Sequence, residues 1–308
     1  MARAIWKATK TADVIYAQDL LVVGVASNLA TFLSRKPLVV KFVGDVVWET
    51  IRNEGSFAGS LEEFYQSNLS FSDKLKTFLQ KWVLRSAAKV IVPSKYLKGF
   101  LIDHYGISQE KITVIYNGVK VDRRMLVKKD PALVVTVARL VPWKNISGII
   151  SAIHKIPGLK YQVIGGGPEL SRLEKLVNRL GLEKKVIFRG ELGKQEVKKA
   201  MGKAFLFILN STYEGLPHVL LEAALAKNTI IAPALPGIQE LFSLKEAWLF
   251  EPGGEEKLQQ AIKKAVRNKK QSQSKASYAY KRVVRVFSWG KTYRKTEQLL
   301  AAAAKVGQ

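Results

Sequence analysis

The sequence predicts an α/β protein made of two doubly wound parallel sheets, the first of them incomplete. Three observations predict it. Short apolar, β-branched runs alternate with longer stretches of helical periodicity across most of the 308 residues, which is the pattern of βαβ units. The runs are almost continuously apolar and do not alternate, as expected for strands covered on both faces. The chain also exceeds the length that one hydrophobic core usually fills, about 250–300 residues.

Ten runs read as strands. Four lie in the first part, at 13–16, 38–43, 90–93 and 112–116. Six lie in the second, at 133–138, 161–164, 186–189, 205–209, 229–232 and 247–250. Helical patterns separate most of them, for example at 170–180, 196–201 and 218–226. The stretch 119–131 is polar and basic and follows the turn signal Asn117-Gly118, so it reads as the domain boundary. The domains are expected at 1–125 and 126–286, with 287–308 forming a terminal helix that packs back on the first domain.

Composition excludes several classes. Hydrophobic residues make up 47% and charged residues 24%, which is too apolar for a disordered chain. There is no Cys, so disulfides, thiolate catalysis and thiolate metal sites are ruled out, and a reducing compartment fits. Three scattered His residues and no Cys predict no metal site. His104 and His154 read as surface residues, and His218 as polar decoration at a helix start. The longest apolar stretch, 20–33, is too short to span a bilayer and carries Ser27, Asn28 and Thr31. No apolar segment of the kind a signal peptide needs follows Arg3 and Lys7. The expected location is the cytoplasm, either free or peripheral on the inner face of the plasma membrane.

Fifty Lys and Arg face 25 Asp and Glu, a formal charge of +25. Residues 255–308 are the most basic part, with 14 cations and 3 anions, among them Lys263, Lys264, Arg267, Lys269, Lys270, Lys281, Arg282 and Arg285. Three readings compete: a solvated helical face, attraction to an anionic membrane surface, and nucleic-acid binding. No zinc-finger, helix-turn-helix or RNA-binding signature accompanies the charge, so no nucleic-acid partner is expected.

Four motifs carry chemistry, each after an expected strand of the second domain. In VARLVPWK, Arg139 and Lys144 project from the loop after a strand, at the edge where open α/β sheets bind ligands. A diphosphate there needs fixed cations; taken alone, the pair also reads as two solvated cations. In IGGGPE, Gly165–Gly167 run into Pro168 at an expected first helical turn. Such glycines either bring amides close to an anion or make a tight turn. In STYEGLPHVLLEA, Pro217 is expected at the first helical position. The free amides of that helix would point at the same cleft. Glu214 and Glu222, with seven residues between them, could hold two hydroxyl-bearing rings, or be a capping and a surface Glu. In PGIQE, a turn follows the strand at 229–232 and is either an ordinary loop or a further source of amides. Upstream, Gly44-Asp45 either lines a cleft or caps a helix.

In this order the motifs resemble the retaining GT-B glycosyltransferases of family 4. The similarity runs through ARLVPWK, VIGGGPE, FRGEL, NSTYEGLPHVLLEAALAKNTIIAP and PGIQEL, and also through IVPSKYLK, VIYNGVKVD and FSW. It implies a GT-B fold in which DVIYAQD matches a strand well inside the acceptor-side domain, so that domain lacks its first part. It implies transfer of a sugar from a UDP- or GDP-linked donor, as substrate and without cofactor or metal, to a glycan or lipid-linked acceptor in cell-envelope polysaccharide or glycoconjugate synthesis. A catalytically impaired nucleotide-sugar-binding fragment is the alternative. Arg139 and Lys144 would bind the diphosphate, Glu222 the ribose, and Glu214 would lie beside the donor sugar as the carboxylate to test in catalysis. Amides of Leu216, Pro217's neighbours His218 and Val219, and the backbone at Gly166 and Gly215 would complete the donor site. Glu191 and Leu192 would line the base pocket.

Overall fold

The structure is a computed structural model that describes residues 1–57, 59, 61–121 and 128–306. The chain divides into two compact units, residues 1–117 with 290–308, and residues 118–289. The boundary expected between residues 125 and 126 lies outside the described residues. The break expected before residue 287 falls at 289/290.

The N-terminal unit runs α1 (Ala2–Ala8), β1 (Ile15–Ala17), α2 (Val22–Ser34), β2 (Leu38–Lys41), α3 (Val46–Asn53), α4 (Leu61–Gln66), α5 (Phe71–Ser86), β3 (Lys89–Val92), α6 (Lys95–Tyr105) and β4 (Ile112–Val114). Its four strands are parallel and stand in simple chain order, β1-β2-β3-β4. Right-handed crossovers in that order put the connecting helices on one face. The other face is closed by the last helix, α14 (Trp289–Val306), whose Leu299, Leu300 and Ala303 pack against Val39, Ile91 and Ile115. Thr292 Oγ1 donates to the Tyr116 carbonyl (2.8 Å) and fixes that helix at its start.

The structure resolves the two readings of Asp45. It is fully buried and caps α3, accepting from the amides of Val47 and Trp48 at 3.0 Å each. The Tyr105 hydroxyl (2.5 Å), the Tyr65 hydroxyl and Gln80 Nε2 (3.3 Å) also donate to it. Burial first, and then the Asp45 charge, push both tyrosine hydroxyls above their ordinary range. Lys81 Nζ lies 5.4 and 5.3 Å over the two rings. His104, expected at the surface, is instead half-buried against Phe100 and Tyr65 (4.8 and 5.9 Å between rings); His154 is exposed.

The C-terminal unit runs β5 (Asp130–Val137), α7 (Ile146–His154), β6 (Lys160–Ile164), α8 (Leu170–Arg179), β7 (Val186–Phe188), α9 (Lys194–Lys203), β8 (Ala204–Ile208), α10 (His218–Leu225), β9 (Thr229–Pro233), α11 (Pro236–Leu241), β10 (Trp248–Phe250), α12 (Glu255–Arg267) and α13 (Lys269–Val286). All six strands are parallel, in the order β10-β9-β8-β5-β6-β7. The chain winds outward from β5 and then restarts at β8 on its other side. This is the doubly wound arrangement, with its switch point between β5 and β8. Thr136 Oγ1 bridges that point, donating to the Ile208 carbonyl (2.7 Å). Lys129 Nζ donates to the Gly202 and Ala204 carbonyls (3.1 and 2.8 Å), and burial brings its pKa down to about 8.

Part of the basic tail is structural. Arg282 donates through Nε to the Leu241 carbonyl (2.6 Å), and Lys275 lies 4.8 Å over the Trp248 ring. Among the described residues, no helix is long and apolar enough to cross a membrane.

Replacing Asp45 by Ala would leave two amides, two hydroxyls and Gln80 without their acceptor. The expected loss is about 3 kcal/mol of unfolding free energy, measured by urea denaturation, with a smaller loss for Asp45→Asn.

Candidate functional site

The site is assembled where β5, β6 and β8 of the C-terminal unit end. After β5 the chain makes the loop carrying Arg139, a single 3₁₀ turn at Pro142–Lys144, and then α7. Asn145 takes the left-handed conformation (φ 46°), and its side chain accepts from Gly148 N (3.3 Å), which opens α7. After β6 comes the glycine loop. Its backbone is stitched to the Arg139 loop: Ala138 N donates to Ile164 O (3.0 Å), Leu140 N to Gly166 O (2.8 Å) and Glu169 N to Leu140 O (3.0 Å). A Cβ at Gly165 would stand 2.0 Å from the Ala138 carbonyl oxygen, and one at Gly167 2.4 Å from that of Leu140. Both glycines have positive φ, 128° and 155°. The glycines at 165 and 167 therefore serve a close approach of two backbones. That packing also explains a boundary: residues 167–169 are held as a turn, so α8 starts at Leu170 and Pro168 precedes it.

The loop after β8 is tied to the Lys144 turn at two points. Thr212 N donates to the Trp143 carbonyl (2.8 Å) and Asn210 Nδ2 to the Asn145 carbonyl (3.2 Å). These bonds bring Lys144 and Glu214, 70 residues apart, into an ion pair with Nζ 2.6 Å from Oε1. The pair is largely covered, with side chains 19% and 9% exposed. From below, the first turn of α11 presses on the same loop: a Cβ at Gly237 would lie 2.4 Å from the Glu214 carbonyl oxygen. The PGIQE segment thus forms the floor under Glu214 and Gly215.

α10 begins at His218 with Pro217 as its cap, one position later than expected. Leu216 and Pro217 are buried, Val219 is half-buried, and His218 and Glu222 are exposed. His218 is more than decoration. Its Nε2–H donates to the Gly118 carbonyl (3.1 Å), and Nδ1 lies 3.6 Å from Glu222 Oε1. Arg139 is exposed on its loop. Glu191 is exposed too, and Gly166 lies against it: a Cβ there would stand 3.1 Å from its carboxylate. Leu192 is half-buried beside it.

The structure thus joins the expected residues in three local groups: Lys144 with Glu214, Gly166 with Glu191, and His218 with Glu222. The anchors at Asn145, Asn210 and Thr212 were not expected from sequence. A cavity of about 420 Å³ opens beside these anchors, lined by Asn145, Ser147, Asn210, Ser211, Thr212 and Gly254 among others.

The family profile described as Glycosyl transferases group 1 matches residues 120–282, more than half of the chain. The chain belongs to the glycosyl transferases group 1 family. A second profile, Glycosyltransferase Family 4, matches residues 1–123. Among curated relatives, an uncharacterized glycosyltransferase of Methanocaldococcus jannaschii is 29% identical over 50% of this chain and 44% of its own length. The O-antigen chain mannosyltransferase RfbU of Salmonella typhimurium is 26% identical over 69% of this chain and 61% of its own. The chain therefore spans about half the length of these relatives. Among solved structures, the Anabaena protein Alr3699/HepE in complex with UDP-glucose superposes with a TM-score of 0.80 at 23% identity, covering 98% of this chain and 81% of that one. The group 1 chain is thus of GT-B type in fold.

The contact at Gly165 gives a test of this architecture. Gly165→Ala is expected to lower stability by about 2 kcal/mol or more, read as a drop in thermal midpoint. An unchanged midpoint would mean that the two loops are not packed backbone to backbone.

Proposed function

We propose that this chain is a retaining glycosyltransferase that takes a sugar from a UDP- or GDP-linked donor to a glycan or lipid-linked acceptor in envelope polysaccharide or glycoconjugate synthesis. The observation that carries the reading is the Lys144–Glu214 pair, held at the switch point of the doubly wound sheet beside the start of α10. Family membership and the UDP-glucose complex of the Anabaena protein support it, as does the O-antigen role named for the Salmonella relative.

In this reading the donor diphosphate takes over the Lys144 ammonium and meets the Arg139 guanidinium and the free amides at the start of α10. The bond from the sugar C1 to the diphosphate oxygen breaks, and one to the acceptor oxygen forms on the same face. The acceptor's proton goes to the departing phosphate oxygen. Negative charge grows on that leaving group, and fixed cations and helix amides aimed at it lower the barrier without a metal. Glu214, released from Lys144, faces the donor sugar. Glu222 holds the ribose, and Glu191 with Leu192 borders the base.

Isothermal titration calorimetry with UDP-glucose and GDP-mannose tests the donor site. Lys144→Ala is expected to weaken donor binding by about tenfold to a hundredfold, as for loss of one charge-assisted contact. Glu222→Ala is expected to weaken it by about tenfold through the ribose. Unchanged affinity in both variants would overturn the assignment.

Glu214→Gln separates binding from chemistry. It removes the competitor for Lys144, so nucleoside diphosphate should bind as well as to the parent chain or better. Donor turnover, followed as release of nucleoside diphosphate, should fall by about a hundredfold or more. Equal losses in binding and turnover would place Glu214 in the diphosphate site instead.

A further inference from the structure

Two helices of the N-terminal unit carry large apolar side chains on their outer faces. α2 buries Gly24, Ala26, Ser27, Asn28 and Ala30, all small or polar. Its large apolar residues point outward, with Phe32 69% and Leu33 71% exposed. On α5 the buried residues are Thr77, Gln80, Val83 and Leu84, while Phe71 is 85% and Phe78 63% exposed. Globular helices normally keep an apolar stripe inward and a polar face outward. Eight of the fifteen exposed large apolar side chains among the described residues lie on these two helices.

The outward residues form one surface. On α5, Phe71, Leu75, Phe78 and Trp82 recur at helical spacing along a single side. The Phe32 ring stacks on Trp82, 6.4 Å between centroids and 14° between planes. A Cβ at Gly24 would touch Val83 at 3.2 Å, so the helix bodies lie side by side. The face is about 20–24 Å long, from helices of 13 and 16 residues. An exposed apolar patch rimmed by polar residues marks a contact surface.

The rim selects the partner. α5 carries Lys74, Lys76, Lys81 and Arg85 against the single acid Asp73, which Ser70 and Lys76 already engage; Lys81 leans over the Tyr65 and Tyr105 rings and Arg85 also donates to the Tyr105 carbonyl. No acidic residue lies in α2, and Arg35 and Lys36 follow it. Beside α2 packs α1, with Arg3 and Lys7. Aromatic and aliphatic side chains ringed by cations are what an anionic bilayer surface binds: the apolar groups enter the headgroup boundary and the cations meet lipid phosphates. A second copy of a chain with formal charge +25 would bring like charge against like.

We propose that the outward face of α2 and α5 docks the protein on an anionic lipid bilayer. This does not rest on the donor site, and the assay contains no nucleotide. The purified full chain is spun with vesicles of phosphatidylcholine, and with vesicles containing about one-third phosphatidylglycerol. Binding to the anionic vesicles should be tighter by about tenfold or more and should weaken with salt. The triple variant Leu33→Ser, Phe71→Ser, Phe78→Ser should lose about tenfold or more in affinity at an unchanged thermal midpoint. Should it melt early, Phe71→Ser alone, at the most exposed of these positions, should still weaken binding measurably. The variant Lys263→Gln, Lys264→Gln, Arg267→Gln, on the basic tail, should keep most of the affinity.

Three results would overturn the proposal. One is equal binding to both vesicle types or to neither. Another is that the tail variant, and not the face variants, abolishes binding. The third is self-association of the lipid-free chain that the triple variant removes, which would make the face an interface between copies.

Discussion

The reversal of strand order between β5 and β8 is the constraint on which the candidate site depends. On either side of that point the crossover helices leave toward opposite faces of the sheet, so the loops that follow the two strands part and leave a crevice. Into this gap the chain places one cationic turn and one acidic loop. Neither would hold its position unaided. The turn is a single 3₁₀ element ending in a left-handed Asn145, and the loop crosses from strand to helix without regular structure. Two backbone carbonyls of the turn, those of Trp143 and Asn145, accept from the loop and lock them together. The Lys144–Glu214 pair is thus the visible end of a set of main-chain contacts.

The same economy governs the neighbouring glycine loop. Its carbonyls at Ile164 and Gly166 accept from the Arg139 loop, and Gly165 N donates to the Gly190 carbonyl at 2.8 Å. What this gives the site is position. By fusing the ends of β5 and β6 into one rigid ledge, the glycines set where Arg139, Gly166 and Glu191 stand relative to the cationic turn. Preorganisation of this kind is what electrostatic stabilisation of a leaving group requires, because dipoles and charges already in place need no rearrangement as charge develops.

The sequence was most legible where one physical rule dominated. All ten strands were visible as apolar runs, because burial on both faces leaves no polar alternation to confuse the pattern. Boundaries slipped where backbone bonding between loops decided the matter. The helices near Pro168 and Pro217 start later than proline's preference for a first helical turn suggests; at Pro168 a loop-to-loop bond from Glu169 N to the Leu140 carbonyl keeps the preceding residues in a turn. Asp45 offered two readings that only burial separates, and nothing in the local pattern announces that Tyr65, Gln80 and Tyr105 converge on it from 20 to 60 residues away. The anchors of the site escaped for a similar reason: Asn145 and Asn210 act through a main-chain carbonyl and a side-chain amide, with no spacing signature. His104 and His218 were underrated because a lone histidine carries no sign of which ring or carbonyl it will meet.

Gly237 has a consequence for how such a scaffold can diversify. With the helix that begins at Pro236 pressed against the carbonyls of residues 214 and 215, the underside of the acidic loop admits no additional atoms. Under the proposed function, remodelling for a differently shaped sugar or base must come from the solvent-facing border near Glu191 and from the outer turn of α10. The margins of this loop are thereby free to drift while the central ion pair stays bolted to an incompressible base.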